Sequence, residues 1–313
     1  MESETVSVII PAFNAQDTIV EAVESVIHGS YQTIEILIID DCSTDDTGKV
    51  LSQLAEKYSQ IQHYTNEVNS GISKSRNFLI NRATGKYVAF LDSDDTWEAN
   101  KLEKCLQTLR ENPDIKAVGH ALRYLDKKGR KLGYMSAYPT TKEELKTLNE
   151  HGELPIFFPS TVVIEREILL QEGGFLEDWE VGEDTELFAR IAPYGFLALT
   201  EPLGNYRLKG GSLTDKYWLR KRLSTDCVRE NVRRRRNGEK EITLQEYEED
   251  FLKNTPPLKK LNILRKLLAT RYMRKVGENW LNQEIIKALT YGVLVIVLNP
   301  QEIRSKLQRL KRN

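Results

Sequence analysis

Apolar residues fall in two rhythms along this chain. Over the first hundred residues, short continuous apolar runs alternate with stretches whose apolar positions recur at helical spacing. Residues 6–10, 34–39, 61–64 and 86–91 have the length and character of strands covered on both faces. Between them, Ile19, Val23 and Val26 mark a helix over residues 17–27. A second helix, opened by Asp45 or Thr47, runs to about Tyr58, and a third covers residues 73–81. This alternation gives βαβ units and a parallel sheet. Pro11 is expected to close the first strand. Further on, the pattern predicts a helix over residues 98–111 capped by Thr96 or Asp95, and strands over residues 117–124, 157–165 and 196–200. It also predicts a helix from Arg166 to about Glu172, ended by Gly173-Gly174, and another over residues 183–191.

Past Asp215 the texture changes. Residues 217–236, 244–253, 258–275 and 284–297 read as helices that mix apolar and basic positions, punctuated by Pro256-Pro257 and Pro300. We therefore expect an α/β domain over residues 1–215 and a basic, largely helical region over residues 216–313. Charge sharpens that division: a net charge of −1 conceals −14 in residues 1–215 and +13 in residues 216–313. Such asymmetry points to different partners for the two parts. Cys42, Cys105 and Cys227 are far apart and lack metal-ligand spacing, which fits reduced thiols in a cytoplasmic protein. The acidic start Met1-Glu2-Ser3-Glu4, with its apolar run stopping at Pro11, is not the pattern of a signal peptide. The longest later apolar stretch, residues 288–298, is interrupted by Thr290, Tyr291 and Gly292 and falls short of the roughly 20 residues that span a bilayer.

The densest chemistry follows the fourth strand, where Asp92-Ser93-Asp94-Asp95 crowds three carboxylates into four residues. Carboxylates this close repel one another unless water or a cation compensates them. At the carboxyl end of a strand in an open α/β sheet, where ligands bind, Asp-x-Asp suits a hard divalent ion completed by phosphate oxygens. That points to a nucleotide or nucleotide-sugar. A helix start with an acidic first turn explains Asp95 equally well but leaves Asp92, ahead of the turn, unexplained. Three further segments sit at strand ends: Val8-Ile9-Ile10-Pro11-Ala12-Phe13-Asn14, Asp40-Asp41-Cys42-Ser43-Thr44-Asp45, and Asn69-Ser70-Gly71-Ile72-Ser73-Lys74-Ser75-Arg76-Asn77. Singly, each reads as an ordinary turn or helix start; together, all four would meet along one edge of the sheet.

In this order and spacing, the four segments resemble the family 2 inverting glycosyltransferases of the GT-A fold, over about residues 5–215. The resemblance implies a nucleotide-sugar donor, most commonly a UDP-sugar. It implies that Pro11, Ala12, Phe13 and Asp41 hold the nucleobase, with Asp41 accepting from a base N–H. Arg76 would sit near the nucleotide and its diphosphate, Asp92 by the ribose and metal, and Asp94 would ligate the metal, Mn2+ or Mg2+. The stretch Trp179-Glu180-Val181-Gly182-Glu183-Asp184 resembles the family's Glu-Asp motif, which implies Asp184 as general base and Glu183 as an orienting or acceptor-binding neighbour. The chemistry agrees: a hydroxyl attacking an anomeric carbon must shed a proton, and a positioned carboxylate can take it. Tyr206-Arg207-Leu208-Lys209-Gly210-Gly211 resembles the family's closing loop, with Arg207 suited to bidentate phosphate contact and Lys209, where a His is common, offsetting diphosphate charge.

The implied reaction is a metal-dependent, in-line transfer of one sugar to a hydroxyl of a glycan or lipid-linked acceptor in bacterial surface-polysaccharide synthesis. A processive synthase is not expected, because Arg233-Arg234-Arg235-Arg236 is followed by Asn237 and no Gln-x-x-Arg-Trp motif or set of membrane spans is present. The alternatives are a nucleotidyltransferase, which would carry a Gly-rich, Lys-containing phosphate loop near the N-terminus, and a non-catalytic sugar-nucleotide or glycan-binding protein. In the basic rear, Leu261, Leu264, Leu267, Leu268 and Met273 lie among Lys and Arg, and Arg304, Lys306, Arg309, Lys311 and Arg312 follow the last apolar run. Helices of this kind lie on anionic membranes, or pack on the preceding domain or on another subunit. The expected location is the cytoplasm, peripheral at the inner face of the plasma membrane, with homo-oligomerisation left open. No nucleic-acid partner is expected, since no aromatic platform accompanies the arginine run.

Overall fold

Side-chain alternation along the strands divides the core into two layers. Strand β1 (Val6–Ala12) and strand β2 (Ile34–Asp40) send Val6, Val8, Ile10, Ile34, Ile36 and Ile38 to one face. There they pack with helices α1 (Ile19–Ile27), α2 (Thr47–Lys57) and α4 (Lys101–Glu111). Ile9, Leu37 and Ile39 point the other way, against α3 (Ile72–Arg82), α6 (Arg166–Gln171) and α7 (Glu183–Ile191). Both faces are covered, which is why these strands read as unbroken apolar runs.

The computed structural model describes residues 4–126, 129–208, 217–281 and 284–299. Its sheet runs β3 (Ile61–Thr65), β2, β1, β4 (Tyr87–Phe90), β8 (Val163–Glu165), β6 (Ala117–Leu125), β9 (Phe196–Arg207), β5 (Thr96–Trp97), with β7 (Lys131–Met135) also on β6. The first four strands are parallel, and so is the β6–β9 pair; β4–β8, β6–β8, β6–β7 and β5–β9 are antiparallel. Chain order reverses on the two sides of β1, so the carboxyl ends of β1, β2 and β4 share one edge at a topological switch point. The fold is the expected α/β sheet flanked by helices, with further helices after it.

The chain departs from its pattern in several places. β1 continues through Pro11 to Ala12, because its pairing with β4 ends at Ile9 and no ladder bond to that strand is lost. Asp95 and Thr96 do not cap α4, which starts at Lys101 after Asn100. Instead Thr96 and Trp97 pair with Asn205 and Gly204, and the indole of buried Trp97 donates to Ser160 O at 2.8 Å. Pro159 breaks the strand expected over residues 157–165 into a short 3-10 turn followed by β8. β9 extends to Arg207 along β6 through two register shifts. The pattern gave no sign of β7 or of α5 (Lys142–His151), although Thr141 and Glu144 form a capping box that opens α5.

The rear helices are α8 (Trp218–Arg236), α9 (Leu244–Asn254), α10 (Pro257–Leu281) and α11 (Ile285–Leu298). A third apolar cluster, with Trp179, Ala189, Cys227, Val228 and Leu244, joins α8 and α9 to α7 and the loop before it. α10 and α11 pack as a hairpin, with Tyr272 stacked on Tyr291. Among the described residues, no helix is long and apolar enough to cross a membrane. The three cysteines form no disulfide.

Candidate functional site

Where β1, β2 and β4 end, a cleft of about 610 Å³ opens. Pro11, Ala12 and Phe13 form its near wall, and Phe13 stands half exposed at the rim. The turns after β1 and β2 are laced together: Thr44 N donates to Asn14 Oδ1 at 2.8 Å, and Asn14 N to Ser43 Oγ at 2.9 Å. α2 is capped by neither Asp45 nor Thr47 but starts after Asp46; Asp45, one place earlier, accepts from Thr47 N at 3.0 Å.

That lacing fixes Asp41, which lines the cleft and is almost fully buried. Its Oδ1 accepts from Asn66 Nδ2 at 2.7 Å and Ser70 N at 2.8 Å, and its Oδ2 from Gly71 N at 2.9 Å. Gly71 sits at φ +85°, which only glycine adopts without strain, so it can turn its N–H toward the carboxylate. A carboxylate has about four acceptor positions. The one left open, on Oδ2, suits an N–H of a ligand in the cleft.

Asp92, Ser93 and Asp94 continue the lining. Asp95 does not; it is buried, and its Oδ1 has no partner among the described residues. Burial first, and then the charges of Asp92 and Asp94, push the Asp95 carboxyl well above the usual carboxylate range. Three carboxylates this close, two of them lining the cleft, fit a cation. No three acidic, His or Cys side chains converge on one point among the described residues. A divalent ion here would thus be held by Asp94 and Asp92, with a ligand's phosphate oxygens and water completing the shell.

Arg76 does not line the cleft. It is a buried side chain, 1% exposed, reaching Asp92 Oδ1 with Nη2 at 2.8 Å and Glu183 Oε1 with Nη1 at 3.1 Å. Its guanidinium also lies over the Phe175 ring. Arg76 therefore ties the β4 carboxylates to the turn that carries Glu183 and Asp184. Burial, then the Asp184 charge, push the Glu183 carboxyl up despite Arg76. Burial acts the same way on Asp184, but Lys221, the Thr185 N–H and Arg76 outweigh it and hold that carboxyl below its ordinary value. Arg207, expected at the phosphates, is not in the cleft lining, and its Nη2 pairs with Glu21 at 2.6 Å. Lys209 lies outside the described residues.

Sequence reasoning missed Asn66, whose amide orients Asp41, and Lys221, which lies 3.0 Å from Asp184. It also missed Tyr217 and Tyr206 in the cleft wall. An asparagine or a lysine with no motif around it carries no signal of such a contact.

Comparison with known proteins agrees with this geometry. The family model for glycosyl transferase family 2 matches residues 7–172. The chain is 36% identical over 217 residues to the putative teichuronic acid biosynthesis glycosyltransferase TuaG of Bacillus subtilis (strain 168), covering 68% of this chain and 82% of that protein. It is 38% identical over 112 residues to WfgD of Escherichia coli, named a UDP-Glc:alpha-D-GlcNAc-diphosphoundecaprenol beta-1,3-glucosyltransferase, covering 36% of this chain and 44% of that protein. S. aureus TarS residues 1–349, solved in complex with UDP, has a TM-score of 0.57 at 17% identity, covering 96% of this chain and 92% of that one; the likeness shows a shared fold. The nucleotidyltransferase alternative falls with the family match: this chain belongs to glycosyltransferase family 2 and is a glycosyltransferase with the GT-A fold.

Proposed function

We propose that the chain transfers one sugar from a UDP-sugar to a hydroxyl of a glycan or lipid-linked acceptor, with inversion at the anomeric carbon, in the synthesis of a bacterial surface polysaccharide. One observation carries this reading: Pro11, Ala12, Phe13, Asp41, Asp92 and Asp94 line a single cleft, and Arg76 joins Asp92 to Glu183 beside Asp184. The names of TuaG and WfgD support the surface-glycan setting, and WfgD's name supports a UDP-sugar and a lipid-linked acceptor.

In this reading the nucleobase lies against Phe13 and donates an N–H to Asp41 Oδ2. Asp94 and Asp92 hold Mn2+ or Mg2+. A bound ion supplies positive charge that offsets the charge of the departing nucleoside diphosphate. Arg76, 2.8 Å from Asp92 Oδ1, fixes that side chain at the cleft. Asp184, ionised near neutral pH, takes the acceptor's proton through its open oxygen. Attack from the face opposite the leaving group inverts the centre. The α10–α11 hairpin exposes Leu258, Leu261, Ile286, Leu289, Val293 and Val297 among basic residues, and it rests on an anionic membrane surface, where a lipid-linked acceptor resides.

The test is binding and hydrolysis of a panel of UDP-, GDP- and dTDP-sugars with Mn2+, Mg2+ or EDTA. Metal-dependent binding of one UDP-sugar, lost in Asp94→Ala, is the expected result. Preference for another nucleotide would remove the UDP assignment, and binding unaffected by EDTA would remove the metal.

A further inference from the structure

Helix α8 lies beyond the span matched by the family model, yet it holds the turn that carries the base. Gly182, at φ +85°, lies so close to α8 that a Cβ there would meet Ser224 Oγ at 2.4 Å. Arg220 pairs with Glu180 on the same turn. Lys221 Nζ lies 3.0 Å from Asp184 Oδ1, with the two side chains 29% and 19% exposed.

The hydrogen bonds to Asp184 are one-sided. Oδ1 accepts from Lys221 Nζ, from Thr185 N at 2.7 Å and from Thr185 Oγ1 at 3.2 Å, while Oδ2 has no hydrogen-bond partner among the described residues. The charged groups that face it are Lys221 from α8, Arg76 from α3 and Glu183 beside it on α7. Lys221 donates to Oδ1 and leaves Oδ2 open.

We propose that Lys221 is a positioning residue for glycosyl transfer, anchoring Asp184 through Oδ1 so that Oδ2 is presented, ionised, to the acceptor hydroxyl. α8 is then part of the active site rather than an appendage to it. The inference rests on Asp184 as the base. An exposed ion pair would contribute little, but this pair is largely shielded. An opposite charge within hydrogen-bonding distance lowers a carboxylate by about 1–3 units. Without Lys221, burial and Glu183 both push Asp184 up, and Arg76 is the remaining opposing charge. A base must be unprotonated to act, so the acid limb of the kcat/KM profile moves to higher pH. A displacement of about one unit makes the variant about tenfold slower at a pH on that limb.

The experiment follows nucleotide release from the UDP-sugar panel in the full chain, with water as the attacking hydroxyl, across the acid limb. Lys221→Met and Lys221→Gln are expected to shift the limb upward with donor binding retained, and Lys221→Arg to restore it. Asp184→Asn is expected to abolish release while still binding donor. An unshifted limb in the Lys221 variants, with Asp184→Asn inactive, overturns the role of Lys221 alone. Release that survives in Asp184→Asn overturns the base assignment and this inference with it. A carbon-13 NMR titration of the Asp184 carboxyl, assigned by its loss in Asp184→Asn, gives a reading independent of turnover. An upward move in Lys221→Gln is expected there, and an unchanged titration overturns the proposal.

Discussion

Removing the charge of Arg76 isolates what the buried link between Asp92 and Glu183 is worth. Arg76→Met keeps most of the stem and deletes the guanidinium, which sits 2.8 and 3.1 Å from the two carboxylates at 1% exposure. Deleting one partner of a buried pair costs about 3–5 kcal/mol, because the other charge stays buried. Asp92 is 30% exposed and Glu183 only 12%, so Glu183 carries most of that cost. It has one way of relief, which is to take up a proton. Burial and Asp184 already raise its carboxyl, and losing Arg76 raises it further. A carboxyl whose folded value lies above its unfolded value penalises folding at high pH, and the penalty is lost as pH falls through the folded value. Urea unfolding of the full chain should therefore show a loss of about 3 kcal/mol or more at about pH 8, shrinking toward about pH 5. Glu183→Gln in the Arg76→Met background should recover much of the loss and flatten its pH dependence. A loss below about 1 kcal/mol, equal at both pH values, would refute the reasoning, because the link would then behave as a surface pair.

Three further outcomes are expected. Asp41→Ala removes the acceptor for Ser70 N, Gly71 N and Asn66 Nδ2 as well as the open position on Oδ2. Calorimetry should show donor affinity down tenfold or more, in line with about 1.5–3 kcal/mol for a charge-assisted hydrogen bond; unchanged affinity would take Asp41 out of the donor site. Lys101 Nζ lies buried over the Trp97 ring at 3.4 Å without a hydrogen-bond partner among the described residues, and burial pushes its ammonium down to about 7. A Lys lowered in the folded state penalises folding fully below about pH 7 and not at all above its unfolded value near 10.4. Lys101→Met should therefore raise Tm at neutral pH, with the gain shrinking as pH rises toward 10; a gain that grows over that range would count against it. Finally, Leu289→Glu with Val293→Glu, on the exposed face of α11, should abolish flotation with anionic vesicles, and retained binding would move the contact elsewhere.

The parallel half of the fold was legible because β1, β2 and β4 are buried on both faces and the helices between them keep their 3.6-residue rhythm. The second half was harder because long-range pairing overrode local preference. Thr96 and Trp97 read as a helix start but pair with β9 instead, and Pro159 breaks a run that otherwise has strand character. Among the residues that line the cleft, Asp92 and Asp94 stood out by the crowding of carboxylates at a strand end, whereas Asp41, in a segment that singly reads as a turn, stood out only beside the other motifs. Arg76 was found by its motif, yet its burial between two acids was not, since a helical arginine has no local mark of what it faces. Lys221 was invisible for the same reason, standing 37 positions along the chain from Asp184.

The Arg76–Glu183 contact also bears on how such enzymes exchange parts. The family model ends at residue 172, and this ion pair spans that limit. A chimera that joins the donor-binding half of one relative to the downstream half of another inherits the arginine from one parent and the glutamate from the other. A downstream half without an acid at that position leaves the buried cation to Asp92 alone; one that brings its own arginine sets two cations side by side. Recombination between relatives is thus restricted to parents that agree on this pair, and swapping acceptor halves by design must begin by matching it.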